Sequence, residues 1–348
     1  MEFNNFQEKE IFLSDAHEVS RIKSFLLQNG LQLEGDLDYT MALYDEDKII
    51  GTGSFASKVL KCIAVDDSYK GFAISNRIVS HLVNEEYRRG NHHLFIFTKP
   101  ENYPMFKDMG FYKVAEVASS VVLLENKHKG IQGFINKISQ SKREGQIISS
   151  IVVNCNPFTL GHQYLIEKAS KESDFLHIFV VWEDRSSFPA QVRYDLIKEG
   201  TKHLSNVCIH KGEDYIISNA TFPSYFLKDD TKVMETHCQL DLKIFGEYIA
   251  PALNINKRFV GEEPYCAVTR LYNETMKRLL PTYHIEVVEI PRLNIEENIV
   301  SASKIRAFIR QDDFNSVKRF VPKTTYDFLT SGEAESIIRK IKSEYKRH

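Results

Sequence analysis

The stretch that decides the fold of this chain is IVVNCNPFTLGHQYLIEKA, residues 151–169. An apolar run typical of a buried strand stops at Asn154, and a helical pattern begins near Gly161. Pro157, which lies between them, has no backbone N–H and therefore ends the strand ladder. The stretch predicts a strand, a short turn and a helix in direct succession.

The turn carries polar residues that suit a bound anion. Gly161 lets the backbone approach a ligand closely, and the first amides of the helix have no acceptor within it. Those amides and the positive end of the helix dipole favour a phosphate, to which Thr159 and His162 can both donate. The alternative is an ordinary strand-to-helix connection that Thr159 caps.

The second half of the chain alternates strands with helices. Strands are predicted near 147–153, 175–182, 206–210, 256–260 and 284–290, and helices near 162–170, 191–204, 240–252 and 267–280. This alternation predicts an α/β domain with right-handed crossovers and a parallel sheet, whose ligands lie at the carboxyl ends of the strands. Several helices are predicted after residue 300.

The first half mixes strands and helices without this alternation. Helices are predicted at 16–30, 73–89 and just after 100, and strands at 39–56 as a hairpin, near 60–65, at 92–99 and as a final strand after 110. A polar seam rich in Lys, Gln, Ser and Gly follows at 126–146. We therefore predict an α+β domain at 1–130, a linker at 131–146 and the α/β domain at 147–348.

Composition excludes several classes of protein. The 348 residues are 43% hydrophobic with a formal net charge of −2, so no global field attracts nucleic acid or an anionic membrane. No apolar run approaches the roughly 18 residues of a membrane helix, and the polar N-terminus does not read as a signal peptide. Five cysteines without a paired spacing predict free thiols in a reducing cytoplasm, and Cys155 is predicted to be a small buried side chain.

A second motif, IVSASKIRAFI at 299–309, also begins a helix. Ser301 or Ser303 can cap it, and Lys304 and Arg306 lie in its first turn. Free amides, two hydroxyls and a guanidinium predict a second phosphate cradle facing the first. A capped surface helix that carries Arg306 by chance is the alternative.

Together the two motifs resemble a known superfamily. NPFTLGH resembles the (H/T)xGH motif of nucleotidyltransferases, and IVSASKIR resembles their ISSTxxR-type motif. The resemblance implies a Rossmann-like parallel-sheet nucleotidyltransferase domain with C-terminal helices. It also implies catalytic and nucleotide-binding roles. The implied catalytic residues are Thr159, His162, Lys304 and Arg306, and the implied nucleotide contacts are Asn156, Phe158, Gly161, Ser301 and Ser303.

Longer segments resemble the citrate lyase ligase family. They are NPFTLGHQYLIEKA, SNATFPSYFLK, FVGEEPYCAVTRLYNETMK, EIPR and VSASKIR. The resemblance implies that ATP activates acetate as acetyl-AMP, with Mg²⁺ held mainly by the phosphates and with no metal ligand from the chain. The acetyl group then passes to the thiol of a CoA-like prosthetic group on the citrate lyase acyl carrier subunit, with release of AMP and pyrophosphate.

Three further features of the second half carry open interpretations. In VGEEP, at 260–264, Gly261 allows close approach and Glu263 could bond a ribose hydroxyl, or the segment is a solvated turn. Arg193 could reach a phosphate or be a plain surface charge. NATFPSYF, at 219–226, could line the pocket for acetate or for the prosthetic group.

The first half resembles acetyltransferases of the GNAT superfamily. SYKGFAISNRIVSHL resembles their acetyl-CoA loop at Gly71 and Ala73 but departs from it at Ser68, and MFKDMGFYKV resembles their late FYxxxGF segment. The resemblance implies a GNAT-like α+β domain. It leaves three roles open: a CoA-binding groove, a structural platform or an active acetyltransferase. In the first role, Lys70, Gly71 and Ala73 would hold the CoA-like arm.

Two other functions compete with the acetate–thiol ligase. One is a simple adenylyltransferase that forms a dinucleotide or a dephospho-CoA-type product. The other is a GNAT-type CoA-binding protein or acetyltransferase whose second domain senses a nucleotide. Dependence of pyrophosphate–ATP exchange on acetate separates the three.

Overall fold

The computed structural model describes residues 6–70, 73–183, 186–222, 231–295 and 298–343. The chain divides into two compact units, Met1–Gly130 and Ile131–His348. Residues 131–146, which were predicted as a linker, belong to the second unit. The helix Gly130–Ser139 covers the first part of this segment, and its Phe134 and Ile138 are buried.

The first unit is built on one mixed sheet. Its elements are β1 (Gln7–Glu10), α1 (Ala16–Gln28), β2 (Tyr39–Asp45), β3 (Lys48–Ala56), β4 (Val59–Val65), α2 (Ile74–Arg88), β5 (Phe95–Thr98), α3 (Tyr103–Asp108), β6 (Tyr112–Val117) and β7 (Val121–Glu125). Seven strands from the described residues lie in the order β1-β2-β3-β4-β5-β7-β6, and only β4 and β5 pair in parallel. Helix α2 packs so closely on β3 that a Cβ added at Gly53 would lie only 2.5 Å from Ile78 Cγ2.

Sequence patterns predicted most of this unit but missed two strands. All four residues of β1 are exposed, so β1 has no apolar alternation to reveal it. The chain after 110 was predicted as one strand, whereas it forms the β6–β7 hairpin. A residue of this turn, Ser119, has a φ of 60°, a conformation that its residue type does not indicate.

The second unit contains a parallel sheet and many helices. It begins with α4 (Gly130–Ser139), β8 (Ile148–Val153), α5 (Leu160–Lys171), β9 (Phe175–Val180), α6 (Ala190–Gly200), β10 (Val207–Lys211), α7 (Thr231–Ile244), α8 (Ala250–Leu253), β11 (Lys257–Gly261), α9 (Ala267–Leu279) and β12 (Glu286–Ile290). It continues with the short hairpin β13 (Asn294–Ile295) and β14 (Asn298–Ile299), then α10 (Ala302–Arg310), α11 (Phe314–Phe320), α12 (Lys323–Leu329) and α13 (Glu335–Ser343). A π-helical turn, Phe245–Ile249, joins α7 to α8.

The order of the strands defines where a ligand is expected. The sheet runs β10-β9-β8-β11-β12, and every neighbouring pair is parallel. From β8 the chain proceeds outward to β9 and β10, then returns past β8 to form β11 and β12. The direction of winding therefore reverses between β8 and β11, where open α/β sheets bind their ligands beyond the carboxyl ends. The predicted α/β fold with a parallel sheet is confirmed.

The C-terminal helices complete the core of this unit. Ile305, Ile309 and Val317 are buried in the same apolar cluster as Ile151 and Ile178 of the sheet. The second motif lies at the start of α10, so the packing of α10 against the sheet places this motif beside it. Among the described residues, no helix is long and apolar enough to cross a membrane.

Candidate functional site

A cleft of about 330 Å³ lies at the carboxyl edge of the parallel sheet, at the reversal point between β8 and β11. Its walls come from the residues that follow β8, β11 and β12 and from the starts of α5 and α10. The residues that line it include Asn154, Cys155, Asn156, Thr159, Gly161, His162, Gly261, Glu262, Glu263, Arg292, Ser301, Ser303 and Arg306. The structure thus brings the two sequence motifs into one cleft.

Two helix starts lie side by side in this cleft. Thr159 is the N-cap of α5, and Ser301 is the N-cap of α10, where its Oγ accepts from the Lys304 amide at 3.3 Å. A Cβ at Gly161 would lie 3.4 Å from the Val300 carbonyl oxygen, so the first turn of α5 approaches the residue that precedes Ser301. The first amides of both helices therefore lie near one another.

His162 has a defined tautomer because of its bonds to Thr159. The backbone N–H of Thr159 donates to His162 Nδ1 at 3.1 Å, and Thr159 Oγ1 lies 2.9 Å from the same nitrogen. An amide can only donate, so Nδ1 carries no proton and a neutral ring has its hydrogen on Nε2. Burial, with a smaller effect of the Arg292 charge, lowers the pKa of His162 to about 4. The ring is therefore a neutral Nε2–H donor at pH 7.

Arg306 joins the second motif to the first. It is buried, its Nη1 donates to the Asn156 carbonyl and its Nη2 donates to Ser303 Oγ at 3.2 Å. Thr325 Oγ1 donates to the Phe158 carbonyl at 3.0 Å. The C-terminal helices therefore hold the backbone of the turn after β8, and Arg306 both lines the cleft and stabilises its shape.

Two of the residues implied as site contacts lie elsewhere. Phe158 is fully buried; its ring stacks 6.2 Å from the His162 ring and packs against Gly200. The Lys304 ammonium lies 5.5 Å from the Phe320 ring centroid. Among the described residues, those that line the cleft include neither side chain. Phe158 supports His162 from behind, because the turn directs its ring into the core.

Glu263 is already engaged by the protein. Its Oε1 accepts from the amides of Tyr265 and Cys266 at 3.0 and 3.1 Å, at the start of α9, and its Oε2 accepts from Arg292 Nη2. Gly261 lines the cleft, and a Cβ there would meet only Leu165 Cδ2, at 3.8 Å, within 4 Å. VGEEP therefore has Glu263 fixed by hydrogen bonds, while its Glu262 and Pro264 are exposed, so a ribose contact by Glu263 stays a prediction.

Arg292 is a cleft residue to which the sequence reasoning assigned no role. Its Nε donates to the Glu262 carbonyl at 2.8 Å, and its charge contributes to the lowered pKa of His162. The available signal was its position in EIPR, immediately after β12, at the carboxyl edge where ligands bind. With Arg306, it gives the cleft two guanidinium groups.

Arg193 fits neither of its predicted interpretations. It is fully buried, and its guanidinium donates to the carbonyls of Asn154, Val181, Glu183 and Phe188 at 2.6–3.0 Å and to Asn154 Oδ1 at 2.8 Å. Arg193 thus fastens together the carboxyl ends of β8 and β9. Its direction into the core follows from packing of α6, which its residue type did not reveal.

Cys155 is buried, as predicted, and burial raises the pKa of its thiol. In NATFPSYF, the described residues 219–222 are buried. The Asn219 amide and side chain donate to the Glu183 carboxylate at 2.6 and 2.9 Å. Residues 223–226 of this predicted pocket segment lie outside the described residues.

The loop predicted to hold a CoA-like arm lies in the first unit. Lys70 pairs with Asp67, and Asp66 accepts from the Ser68 amide at 2.9 Å. Ala73 precedes α2 with a φ of 57°. Gly71 lies outside the described residues.

The fold and the site define a class: a two-unit protein whose Rossmann-like parallel sheet carries a cleft with two helix N-termini and two guanidinium groups at its reversal point, where open α/β sheets bind ligands. Residues 148–329 match the family model of the citrate lyase ligase C-terminal domain. Curated relatives include the citrate (pro-3S)-lyase ligases of Haemophilus influenzae, 41% identical over 91% of this chain and 96% of that one, and of Klebsiella pneumoniae, 40% identical over 91% and 94%. The chain belongs to the citrate lyase ligase family.

Solved structures with similarity to the chain include an acyl-CoA N-acyltransferase from Pseudomonas aeruginosa, 10% identical over 35% of this chain and 99% of that one, with a TM-score of 0.31. Another is Thermotoga maritima TmcAL bound with alpha-thio ATP, 13% identical over 53% and 55%, with a TM-score of 0.35.

Proposed function

We propose that this protein is a ligase that acts on citrate lyase, by acetylating the thiol of a CoA-like prosthetic group on the acyl carrier subunit. The observation that carries the proposal is the pair of adjacent helix starts, at Thr159 and Ser301, which line one cleft. Such a cleft suits the triphosphate of ATP. Membership in the citrate lyase ligase family supports the choice of target.

In the first proposed step, a carboxylate oxygen of acetate attacks the α-phosphorus of ATP. A new O–P bond forms, the bond to the bridging oxygen breaks, and pyrophosphate leaves with its electron pair. Acetate is already ionised at pH 7, so this step needs no general base. The protein then contributes mainly positioning and stabilisation of charge.

The residues of the cleft suit those two tasks. His162 would donate from Nε2–H to a phosphate oxygen, together with the first amides of α5 and α10. Arg292, which Glu263 holds in place, would donate a hydrogen bond to a phosphate oxygen. Arg306 would act mostly by holding the Asn156 carbonyl. Removing one such donor typically lowers a rate by about 10²–10³.

We expect magnesium to enter the site with ATP, held mainly by the phosphates. When bound, it would neutralise phosphate charge.

In the second proposed step, the thiolate of the carrier's prosthetic group attacks the acetyl carbonyl, a thioester forms and AMP leaves. The nucleophile would be the carrier's thiol, and Cys155, which is buried with a raised thiol pKa, would take no covalent part. All five cysteines of this chain are free, which suits the reducing cytoplasm to which we assign the reaction.

Exchange of labelled pyrophosphate into ATP tests the first step. We expect exchange only when acetate is present, because acetate is the acceptor of AMP. An enzyme that forms a dinucleotide would instead require a phosphorylated acceptor, and a nucleotide-sensing protein would show no exchange. Either result would overturn the ligase proposal.

We also propose that the loop before α2 binds the CoA-like arm through Lys70, Gly71 and Ala73. The Lys70 side chain is exposed and cationic, as a pyrophosphate ligand requires. Lys70→Glu should raise the KM for the carrier without changing acetate-dependent exchange. An unchanged KM in this variant would point to a structural platform instead.

A further inference from the structure

A row of buried polar residues crosses the middle of the parallel sheet. Ser150 on β8 pairs in register with His177 on β9 and with Arg258 on β11. Paired residues of parallel strands point to the same face, with neighbouring strands about 4.8 Å apart. Ser149 bonds Ser173, which follows α5, so Ser150 and its two neighbours lie on the opposite face.

Each of the three side chains has a polar atom that lacks a hydrogen-bond partner among the described residues. These atoms are Ser150 Oγ, His177 Nε2 and Arg258 Nη1. The relative exposure of the three residues is 0%, 0% and 1%. A buried polar group without a partner costs about 1–3 kcal/mol, so three on adjacent strands call for a shared partner.

The other polar atoms of the row are occupied. His177 Nδ1 lies 2.9 Å from His210 Nε2, and Arg258 Nη2 donates to the Tyr272 hydroxyl at 3.3 Å. Tyr272 in turn donates to Asp241 Oδ2 at 2.6 Å. The histidine pair lies on one side of Ser150 and the Arg258–Tyr272–Asp241 chain on the other, because β9 and β11 flank β8.

The layer above Arg258 contains an aromatic ring. The Phe245 ring, in the π-helical turn, lies 4.3 Å from the Arg258 guanidinium and 6.3 Å from the Phe179 ring. An aromatic ring offers no acceptor comparable to oxygen for the three atoms. π-Helical turns interrupt regular packing and are frequent at functional sites.

We propose that Ser150, His177 and Arg258 together bind one internal water molecule beneath Phe245. A water can accept from Arg258 Nη1 and share its remaining hydrogen bonds with Ser150 Oγ and His177 Nε2, which satisfies the two to four partners that buried waters have. An anion such as chloride is the competing occupant, because Arg258 is cationic while burial raises the pKa of its neighbour Asp241. Burial, followed by the effect of His210, lowers the pKa of His177 to about 3, so its ring adds no positive charge.

A crystal structure of the full chain tests the proposal directly. At a resolution that shows ordered water, we expect one peak within about 3.2 Å of all three atoms. A companion crystal soaked in bromide should show no anomalous signal at this position. An anomalous peak would identify an anion site, and empty density would show a dry cluster; each would overturn the proposal.

Two variants of nearly equal volume give an independent measurement. Ser150→Thr keeps the hydroxyl that bonds the water, whereas Ser150→Val replaces it with a methyl group. We expect the valine variant to unfold several degrees below the threonine variant and to lose the density peak. If the hydroxyl is simply unsatisfied, valine removes a penalty, and an equal or higher midpoint for valine would refute the bound water.

Discussion

His162 shows how a side chain can cap a helix and serve a site with the same ring. Its Nδ1 accepts the Thr159 amide, which satisfies a donor at the start of α5. The same bond places the ring proton on Nε2. The stability of the helix start therefore depends on Nδ1, and the proposed catalysis depends on Nε2. Substitutions that replace only one of these nitrogens can separate the two roles.

We expect His162→Asn and His162→Gln to differ in kind. An asparagine oxygen can replace Nδ1 as the acceptor, so that variant should stay folded while acetate-dependent exchange falls by about 10²–10³. A glutamine amide can replace the Nε2–H donor and should retain more exchange. Thermal unfolding of both variants provides the control for folding. Wild-type exchange in His162→Asn would contradict the assignment of His162 as a donor.

Arg193 acts through other residues. Its bonds to Asn154, Val181 and Glu183 fix the strand ends from which the cleft is built. We expect Arg193→Ala to reduce exchange at least 100-fold, because the edge of the sheet loses its geometry, with a stability cost of about 3–5 kcal/mol.

Chemical rescue distinguishes positioning by Arg193 from general destabilisation. Millimolar guanidinium should restore part of the exchange in Arg193→Ala, whereas methylammonium, which has fewer donors, should not. Arg193→Lys provides a second folded background and should remain defective. Full exchange in either variant without rescue would show that the strand ends keep their geometry without this guanidinium.

Helix α6 supports the α5 turn through a close contact. A Cβ at Gly200 would lie 2.3 Å from Phe158 Cε1, and Phe158 in turn stacks against the His162 ring. The helix therefore needs glycine at its C-terminal end so that the turn can seat its aromatic ring. This contact joins the packing of an element to the orientation of a site residue.

Gly200→Ala and Gly133→Ala form a matched pair of helix substitutions. The first should lower the free energy of unfolding by about 1–3 kcal/mol through overpacking and should also reduce exchange. The second, in α4, meets no atom within 4 Å and should raise stability by about 0.4–1 kcal/mol with unchanged exchange. Urea titration measures both. Equal effects would mean that Phe158 can move away at little cost.

Three histidines make the stability of the whole protein sensitive to acid. Burial lowers the pKa of His162 and His210 to about 4 and that of His177 to about 3. Between these values and the unfolded value near 6.5, the unfolded chain binds more protons. Stability therefore falls as the pH decreases from about 6.5 toward 4, by at most about 1.4 kcal/mol per pH unit for each histidine.

The double variant His177→Gln/His210→Gln tests this dependence. Its amides do not titrate, so its free energy of unfolding should fall less steeply over that pH range than that of the wild type. Urea titrations at pH 7, 6 and 5 measure the difference. Parallel curves for the two proteins would show that the histidine pair is not neutral in the folded state.

Local patterns predicted the elements that bury continuous apolar runs. The strands β8 and β9 were placed within one or two residues, because strands covered on both faces consist of nearly unbroken Val, Ile and Phe. The Thr159 cap was likewise predictable, and the second cap was narrowed to Ser301 or Ser303, of which the structure uses Ser301, since an N-cap depends on residues within one turn. Exposed β1 and the π-helical turn have no such local signature.

The placement of long polar side chains was predicted poorly, because it also has no local signature in the sequence. An arginine on a helix can extend into solvent, into a cleft or into the core, and the choice depends on what packs against it. Arg193 lies in the core, Arg292 lines the cleft, and Lys304 covers an aromatic ring. Residue type and spacing are equally compatible with the other placements.

Both motifs, their helix starts and the parallel alternation were contained in the order of the residues, because each depends on neighbours a few positions apart. The sequence also predicted that the two phosphate cradles face one another, but it did not predict the contact that joins them, because Arg306 must reach the carbonyl of Asn156, 150 residues earlier in the chain. Burial of α10 in the sheet's apolar core brings those two residues together. Local chemistry therefore specified the two halves of the site, and long-range packing decided how they are joined.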